Sequence, residues 1–271
     1  MITDPTTRIM QNRRPSAKSQ QRLREALIRG AIWAFIGLLY AMLFVFLSAF
    51  ADHWQLPIDP NLFAGVLAGT LGALIYSSMR LAVLMTTIIS PISIFYFILS
   101  DHPVDLLLLV ILVSLVGAVV GALYGIFSMG SRVNRADAKT LAGFSAGWLA
   151  ALAYLLAVNL TGPVSITTVV AILCPLTGIL YVALVPGFIK LYDNLLPPVG
   201  DGLMVGVGVS GFIALCFFVM IGTIDDSVAG PLSAALEVIH ANLPGAVVGG
   251  ILGGGLAGIG SGLLLTDWQD L

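Results

Sequence analysis

Charged side chains are scarce in this sequence. Of its 271 residues only 10% are Asp, Glu, Lys or Arg, whereas 58% are hydrophobic. A soluble domain carries about 25% charged residues, and a chain this apolar cannot cover a surface that faces water. The composition therefore excludes a soluble globular enzyme, a nucleic-acid-binding protein and a disordered chain. It predicts an all-α, polytopic helical membrane protein whose surroundings are the lipid bilayer.

Cysteines and the motifs of catalytic centres are also scarce. The two cysteines, Cys174 and Cys216, lie within long apolar stretches, where a free thiol behaves as a small hydrophobic side chain. No H-E-x-x-H zinc motif occurs, no histidine pair is placed for haem ligation within a span, and we expect no G-x-S-x-G motif of a serine hydrolase. We therefore expect no enzymatic activity, and the sequence identifies no cofactor.

Long apolar stretches make up most of the chain. A helix needs about 20 apolar residues to cross the hydrocarbon core, and continuous apolarity over this length excludes barrel strands, which are shorter and alternate. The stretch around Arg80 is either two helices with a tight turn or one span with a re-entrant segment. A short surface helix is expected at 231–242. The eight predicted spans are 27–51, 61–79, 81–100, 104–128, 140–160, 166–189, 202–224 and 243–265.

The spans fall into two groups of four on either side of a basic loop at 129–139. Residues 117–121 in span four and 245–249 in span eight both read Gly-Ala-Val-Val-Gly. We infer two four-helix repeats in parallel orientation, related by an axis along the membrane normal. The predicted order is a basic cytoplasmic N-terminal segment (1–26), a first transmembrane half (27–128), the basic cytoplasmic loop (129–139), a second transmembrane half (140–265) and a cytoplasmic tail (266–271).

The basic residues predict the orientation of the spans. With the N-terminus inside, all 12 Lys and Arg residues fall on the same side of eight spans. Lys and Arg mark the cytoplasmic side, so we expect an integral plasma-membrane (bacterial inner-membrane) protein with both termini in the cytoplasm. The three histidines then fall in the outer loops.

Glycines recur at a spacing of four residues in several spans. Residues four apart lie on one helix face, so each row forms a groove in which a neighbouring backbone packs closely. We predict that these glycine-zipper rows pack helices, and that spans four and eight face each other, or a partner subunit, at the centre of the assembly. The rows are Gly117, Gly121 and Gly125 in span four and Gly250, Gly254, Gly258 and Gly262 in span eight.

Polar groups at membrane depth are few. Pro91 lies in span three between Ser90 and Ser93, and Thr177 lies in span six. Proline frees a helix carbonyl, and broken helices form solute sites in transporters, so these four residues are a candidate solute path. The alternative is that the proline only shapes its helix and that each hydroxyl bonds to its own backbone.

Histidines and carboxylates recur in the predicted outer loops. Glu237 and His240 are three residues apart and share a helix face, an arrangement that can bind a divalent metal. His53 and His102 each follow an aspartate. These four residues are candidate metal ligands. The alternative is that short outer loops only need polar residues, since Lys and Arg are kept to the inner side.

Two functions are favoured over a third, a membrane enzyme that uses the outer His and Asp residues, which ranks last. The first is a transporter or channel for a small solute or ion, based on the eight spans, the repeat and the glycine-lined helices. The second is a non-catalytic scaffold or assembly subunit of a larger membrane complex, based on the short loops and the lack of charge within the spans. The protein is expected to act as a homo-oligomer or as a subunit of such a complex.

Overall fold

The computed structural model describes residues 17–100, 105–127, 135–162, 164–192 and 196–264. These residues form eight long α-helices and two short 3₁₀ turns (Asp226–Val228 and Gly230–Leu232), and they contain no strand. Each long helix has the length and hydropathy to cross a membrane, so the predicted all-α, polytopic fold class is confirmed. The helices are α1 (Ala17–His53), α2 (Pro60–Ser77), α3 (Met79–Leu99), α4 (Leu106–Phe127), α5 (Ala136–Thr161), α6 (Ile166–Leu191), α7 (Pro198–Ile224) and α8 (Ser233–Leu264).

The chain around Arg80 forms two complete helices. α2 has 18 residues and α3 has 21, which correspond to about 27 Å and 32 Å at 1.5 Å per residue. Only Ser78, with φ −142° and ψ 63°, separates them. α2 packs mainly against α5 and α3 mainly against α7, so the two helices diverge from this turn instead of forming a hairpin.

Two predicted spans begin earlier in the chain than their apolar stretches. The prediction of a separate surface helix at 231–242 is wrong, because α8 begins at Ser233 and continues to Leu264. Proline is tolerated within membrane helices, and Pro244 accordingly does not end α8. α1 likewise begins at Ala17, within the predicted N-terminal segment 1–26. Its 37 residues extend about 55 Å, which exceeds the roughly 30 Å thickness of the hydrocarbon core.

Helices that are distant in the chain make the most extensive contacts. α1 packs against α8, α4 against α7 and α2 against α5, and α6 packs beside α8 and α5. Each of the first three pairs joins one predicted half of the chain to the other. If the two halves were structurally equivalent, the α1–α8 contact would have a counterpart between α5 and α4. Among the described residues, α4 and α5 make no contact of comparable extent. The internal repeat therefore stays a prediction.

The core is closed at one end of the bundle and more open at the other. In the C-terminal third of α1, four consecutive residues, 43–46, are at most 2% exposed, so neighbouring helices surround α1 there on every side. Nearer its N-terminus, Ile32 and Phe35 are 52% and 54% exposed. We call the end of the bundle that carries Arg29, Arg80, Lys139 and Lys190 the basic end, and the end that carries Asp52, Asp59 and His240 the acidic end.

Candidate functional site

A cavity of about 330 Å³ lies between α1, α2 and α6. Along α1 its lining runs from Arg29, near the basic end, to Leu43, a distance of about 21 Å at the helical rise. Its walls are mostly apolar, with Ile36 and Leu39 from α1 and Val182 from α6. Its volume is within the range of about 300–1,000 Å³ that small-molecule sites occupy.

The cavity has room because the facing helices carry small residues. Ala68, Gly69, Gly72 and Ala73 of α2 line one wall. A Cβ atom added to Gly72 would meet no other atom within 4 Å, so this position faces open space. On α6, a Cβ at Gly178 would lie 2.6 Å from Cζ3 of Trp33. The absence of a side chain at Gly178 therefore makes room for the indole that forms another part of the lining.

A polar pair marks the inner end of the cavity. The Tyr40 hydroxyl lies 3.5 Å from Oγ1 of Thr177, and either oxygen can donate. Both residues are buried, and both line the cavity together with Cys174 and Leu43. Each lies near the middle of its helix, so an otherwise apolar cavity presents two hydroxyl groups at about half the depth of the bundle.

The mouth of the cavity is polar and positively charged. Arg29 of α1 and Lys139 of α5 line it, together with Tyr76, Tyr181 and Ser261. Tyrosine has an apolar ring and a polar tip, a combination suited to the membrane–water interface. The lining thus changes from basic and aromatic at the mouth, through apolar walls, to two hydroxyl groups at the inner end.

The four residues of the predicted solute path are not brought together. Thr177 lies in the cavity, whereas Ser90, Pro91 and Ser93 lie on α3 and do not line it. Pro91 is exposed, and Ser93 is fully buried. Within the described part of the chain the Ser93 hydroxyl has no hydrogen-bond partner. Of the four residues, only Thr177 therefore belongs to the cavity between α1, α2 and α6.

The glycine row of α4 is covered by α7. A Cβ atom on Gly121 would collide with the carbonyl oxygen of Gly202, and one on Gly117 would collide with that of Gly206. A Cβ atom on Gly125 would collide with the carbonyl oxygen of Pro198. Residue numbers fall along α7 as they rise along α4, so the two helices are antiparallel and their backbones meet directly.

The glycine row of α8 is covered by α1. Gly250 meets Gly37, Gly254 meets the carbonyl of Trp33, and a Cβ on Gly258 would lie 2.7 Å from the carbonyl oxygen of Arg29. Gly262, the last member of the row, lies in the final turn of α8.

The prediction that spans four and eight face each other is therefore wrong. Small residues on α7 and α1 supply matching grooves, so α4 packs with α7 and α8 with α1. A single row of glycines shows that a close partner exists, but it does not identify which helix that partner is.

The candidate metal ligands are not brought together in the described residues. His53 ends α1, while Glu237 and His240 lie on α8, and His102 lies outside the described residues. Nε2 of His240 lies 2.9 Å from Oγ1 of Thr223 on α7. Among the described residues no group of three or more His, Cys, Asp or Glu side chains is placed to hold a metal ion.

Sequence reasoning missed two buried carboxylates at the basic end. Oδ2 of Asp137 accepts a hydrogen bond from the Leu196 amide at 2.9 Å. Oδ1 of Asp201 accepts one from the Asp137 amide at 3.1 Å. These bonds connect the beginning of α5 to the beginning of α7 and to the loop before it. These carboxylates could have been predicted from the sequence, because each aspartate lies in the first turn of its helix, where free backbone amides attract carboxylates.

The letters of one hydrolase motif do occur, contrary to expectation. Gly143-Phe144-Ser145-Ala146-Gly147 has the form G-x-S-x-G, which in hydrolases marks a strained turn between a strand and a helix. Here it lies within α5. Its glycines face α2, and a Cβ on Gly147 would lie 2.9 Å from the carbonyl oxygen of Gly65. The motif therefore serves helix packing and forms no nucleophile elbow.

The fold and the cavity define an integral, multi-pass membrane protein with an apolar cavity that extends inward from its basic end. The chain matches no known family model, no curated protein and no solved structure.

Proposed function

We propose that this multi-pass membrane protein is a transporter that binds a small solute in the cavity between α1, α2 and α6. The observation that carries the proposal is the depth of the cavity, which extends from the basic end to the Tyr40/Thr177 hydroxyl pair near the middle of both helices. Solute sites of secondary transporters lie near the bilayer midplane. Apolar pockets with a few convergent polar groups are typical of ligand-binding sites.

The closed inner end favours a carrier over an open pore. Beyond Leu43 toward the acidic end, α1 is enclosed by its neighbours, with Phe44 and Phe46 almost completely buried. A solute in the cavity therefore has no exit toward the acidic end, and transport requires α1 to move relative to α2 and α6. The contact between α1 and α8 is made largely by backbone at glycines, and such a smooth interface opposes sliding less than interlocked side chains do.

We place the basic end in the cytoplasm, because Lys and Arg are enriched on the cytoplasmic side of membrane proteins. Both termini then lie in the cytoplasm, and the cavity opens toward it. The membrane is a plasma membrane of the bacterial inner-membrane type, and the protein acts as a homo-oligomer or within a membrane complex.

A binding role is proposed instead of a catalytic one. The polar groups at the inner end of the cavity are the hydroxyls of Tyr40 and Thr177 and the thiol of Cys174. Nucleophilic catalysis requires a base within hydrogen-bonding reach of the nucleophile. No histidine or carboxylate of the described residues lines the cavity, so the arrangement suits recognition of a solute better than its conversion.

Blocking the cavity tests the proposal. Gly72→Leu places a side chain into open space within the cavity, whereas Gly187→Leu adds the same side chain to α6 at an exposed site outside the lining. Native mass spectrometry of protein purified in mild detergent should detect a bound small molecule on wild type and on Gly187→Leu, but not on Gly72→Leu. The identified compound should then accumulate in proteoliposomes that contain wild-type protein.

Two results would overturn the proposal. The first is equal retention of the bound compound by the Gly72→Leu and Gly187→Leu variants, because the cavity would then not be its site. The second is a stoichiometric co-purifying protein in all three preparations with no bound small molecule. That result would instead support the scaffold or assembly function.

A further inference from the structure

We propose that the ligand of the cavity is an anionic amphiphile. Its charged head group lies at the mouth beside Lys139 and Arg29, and its apolar chain extends along α1 toward the Tyr40/Thr177 pair. This inference rests on the function proposed above, because it takes the cavity as the solute site. It adds the chemical class of the ligand and specifies which end of the ligand lies at the mouth of the cavity.

Positive charge at the mouth determines the sign of the head group. Lys139 and Arg29 approach from different helices, and Arg135 lies one helical turn before Lys139. No acidic side chain of the described residues lines the cavity; Glu25, one helical turn before Arg29, is exposed and lies outside the lining. Asp137, on the same turn as Lys139, directs its carboxylate to the backbone amides of Ala138 and Leu196. A carboxylate or phosphate at the mouth would thus gain charge-assisted hydrogen bonds without a lining carboxylate that repels it.

The walls determine the character of the rest of the ligand. Between the mouth and the inner end, the lining from α1 is aliphatic and aromatic, including Trp33, Ile36 and Leu39. A polar solute of the same size would lose its hydration there without replacing its hydrogen bonds. An alkyl chain gains about 0.8 kcal/mol for each methylene that leaves water. The cavity is also elongated, about 21 Å along α1, which suits a single chain.

The cavity is accessible from the side as well as from the end. Ile32 and Phe35 of α1, together with Tyr76 and Met79 at the turn between α2 and α3, line the cavity and are each 50–54% exposed. Tyr76 and Met79 lie at the basic end, and Ile32 and Phe35 lie on α1 between Arg29 and Tyr40, so the side opening extends from the basic end into the apolar part of the cavity. An amphiphile already dissolved in the leaflet at the basic end can therefore enter between α1 and the α2–α3 turn with its head group at the height of Lys139.

Photolabelling tests the class and direction of the ligand. The probe is dodecanoate with a diazirine at the end of its chain, applied to full-length protein in phosphatidylcholine nanodiscs. Mass spectrometry should place saturable labels near residues 39–43 of α1 and 174–178 of α6. Unlabelled dodecanoate should compete with the probe at about tenfold lower concentration than dodecanol, and dodecyltrimethylammonium should compete no better than dodecanol.

Charge variants separate the head-group contact from general folding. Lys139→Gln should raise about tenfold the concentration of dodecanoate that is needed to displace the probe, and it should leave the concentration of dodecanol needed for displacement unchanged. Lys139→Arg keeps the charge and should retain most of the dodecanoate affinity. Arg80→Gln removes a positive charge at the same end, outside the cavity lining, and should have no effect on either competitor.

The outcomes distinguish this inference from the proposed function. If dodecanoate and dodecanol compete equally and Lys139→Gln has no effect, while Gly72→Leu abolishes labelling, the anionic class is wrong and the cavity remains a solute site. If Gly72→Leu and Gly187→Leu label like wild type, the cavity is not a binding site and both proposals are overturned. Labels confined to the mouth, near Arg29, would overturn the proposed direction of the chain.

The anionic amphiphile has two sources that share this chemistry, a free carboxylate amphiphile and an anionic phospholipid of the membrane. Labelling repeated in nanodiscs that contain phosphatidylglycerol distinguishes them. Competition by phosphatidylglycerol identifies the membrane lipid as the ligand, and undiminished labelling identifies the free amphiphile. Either result supports the anionic class, provided that dodecanol again competes more weakly than dodecanoate.

Discussion

Gly37 of α1 and Gly250 of α8 lie so close together that a Cβ atom on either residue would collide with the carbonyl oxygen of the other. Trp33 and Tyr40, on either side of Gly37 along α1, line the cavity. The backbone contact with α8 therefore sets the position of the helix that forms one wall of the candidate site. At this contact, helix packing and the shape of the cavity depend on the same few glycines.

A bulky residue at this contact should destabilise the fold. We expect Gly250→Leu to lower the free energy of unfolding by about 3 kcal/mol or more, because the side chain would enter a backbone contact that cannot relax without separating the helices. Thermal unfolding in mild detergent measures the effect. Gly260→Leu is the matched control on α8, since a Cβ there meets no atom within 4 Å. Equal Tm values and oligomer sizes for the two variants would contradict the packing argument.

The carboxylate of Asp137 should contribute measurably to stability. Asp137→Ala removes the acceptor for the Leu196 amide and should cost about 1–3 kcal/mol, because a backbone donor is left without its partner. Asp137→Asn retains one acceptor oxygen and should cost less. Asp52→Ala, at an exposed position near the end of α1, is the control. A Tm for Asp137→Ala equal to that of Asp52→Ala would show that water replaces the lost bond.

The spans could be predicted from sequence because crossing a bilayer imposes a length and a composition on each helix separately. The site could not be predicted in the same way, because it depends on which helices become neighbours. Thr177 was identified from the sequence as a polar group at depth. Its partner Tyr40, 137 positions away in the chain, carried no local signal that distinguished it from a packing aromatic.

The sequence also did not show that a residue used to predict orientation contributes to the cavity. Lys139 served only as a marker of orientation in the sequence, although the structure places it at the mouth of the cavity. The glycine rows indicated close packing but gave no partner, since any helix with small residues fits such a groove. Pairing among eight helices is decided by the complementarity of whole surfaces, and that information is not local to any one span.

Cysteine labelling should establish the orientation. In a variant with Cys174 and Cys216 replaced by alanine, Ile58→Cys lies at the acidic end and Leu191→Cys at the basic end, and both positions are exposed. A membrane-impermeant maleimide applied to intact cells should modify only Ile58→Cys, because the basic end is expected in the cytoplasm. Both sites should react after the cells are opened. Modification of Leu191→Cys in intact cells would reverse the orientation and with it the side to which the cavity opens.

Filling the cavity should stabilise the protein and remove its response to ligand. Gly72 lies within α2 and faces open space, so Gly72→Leu replaces a poor helix former with a good one and should raise stability by about 1 kcal/mol without ligand. Gly187→Leu makes the same change on α6 outside the cavity and should give a similar gain. Saturating dodecanoate should then raise the Tm of wild type and Gly187→Leu, because a ligand that binds the folded state stabilises it, and leave that of Gly72→Leu unchanged. If dodecanoate shifts all three proteins equally, the open space beside Gly72 is a packing defect filled by detergent or lipid, and the glycine there has no role in binding.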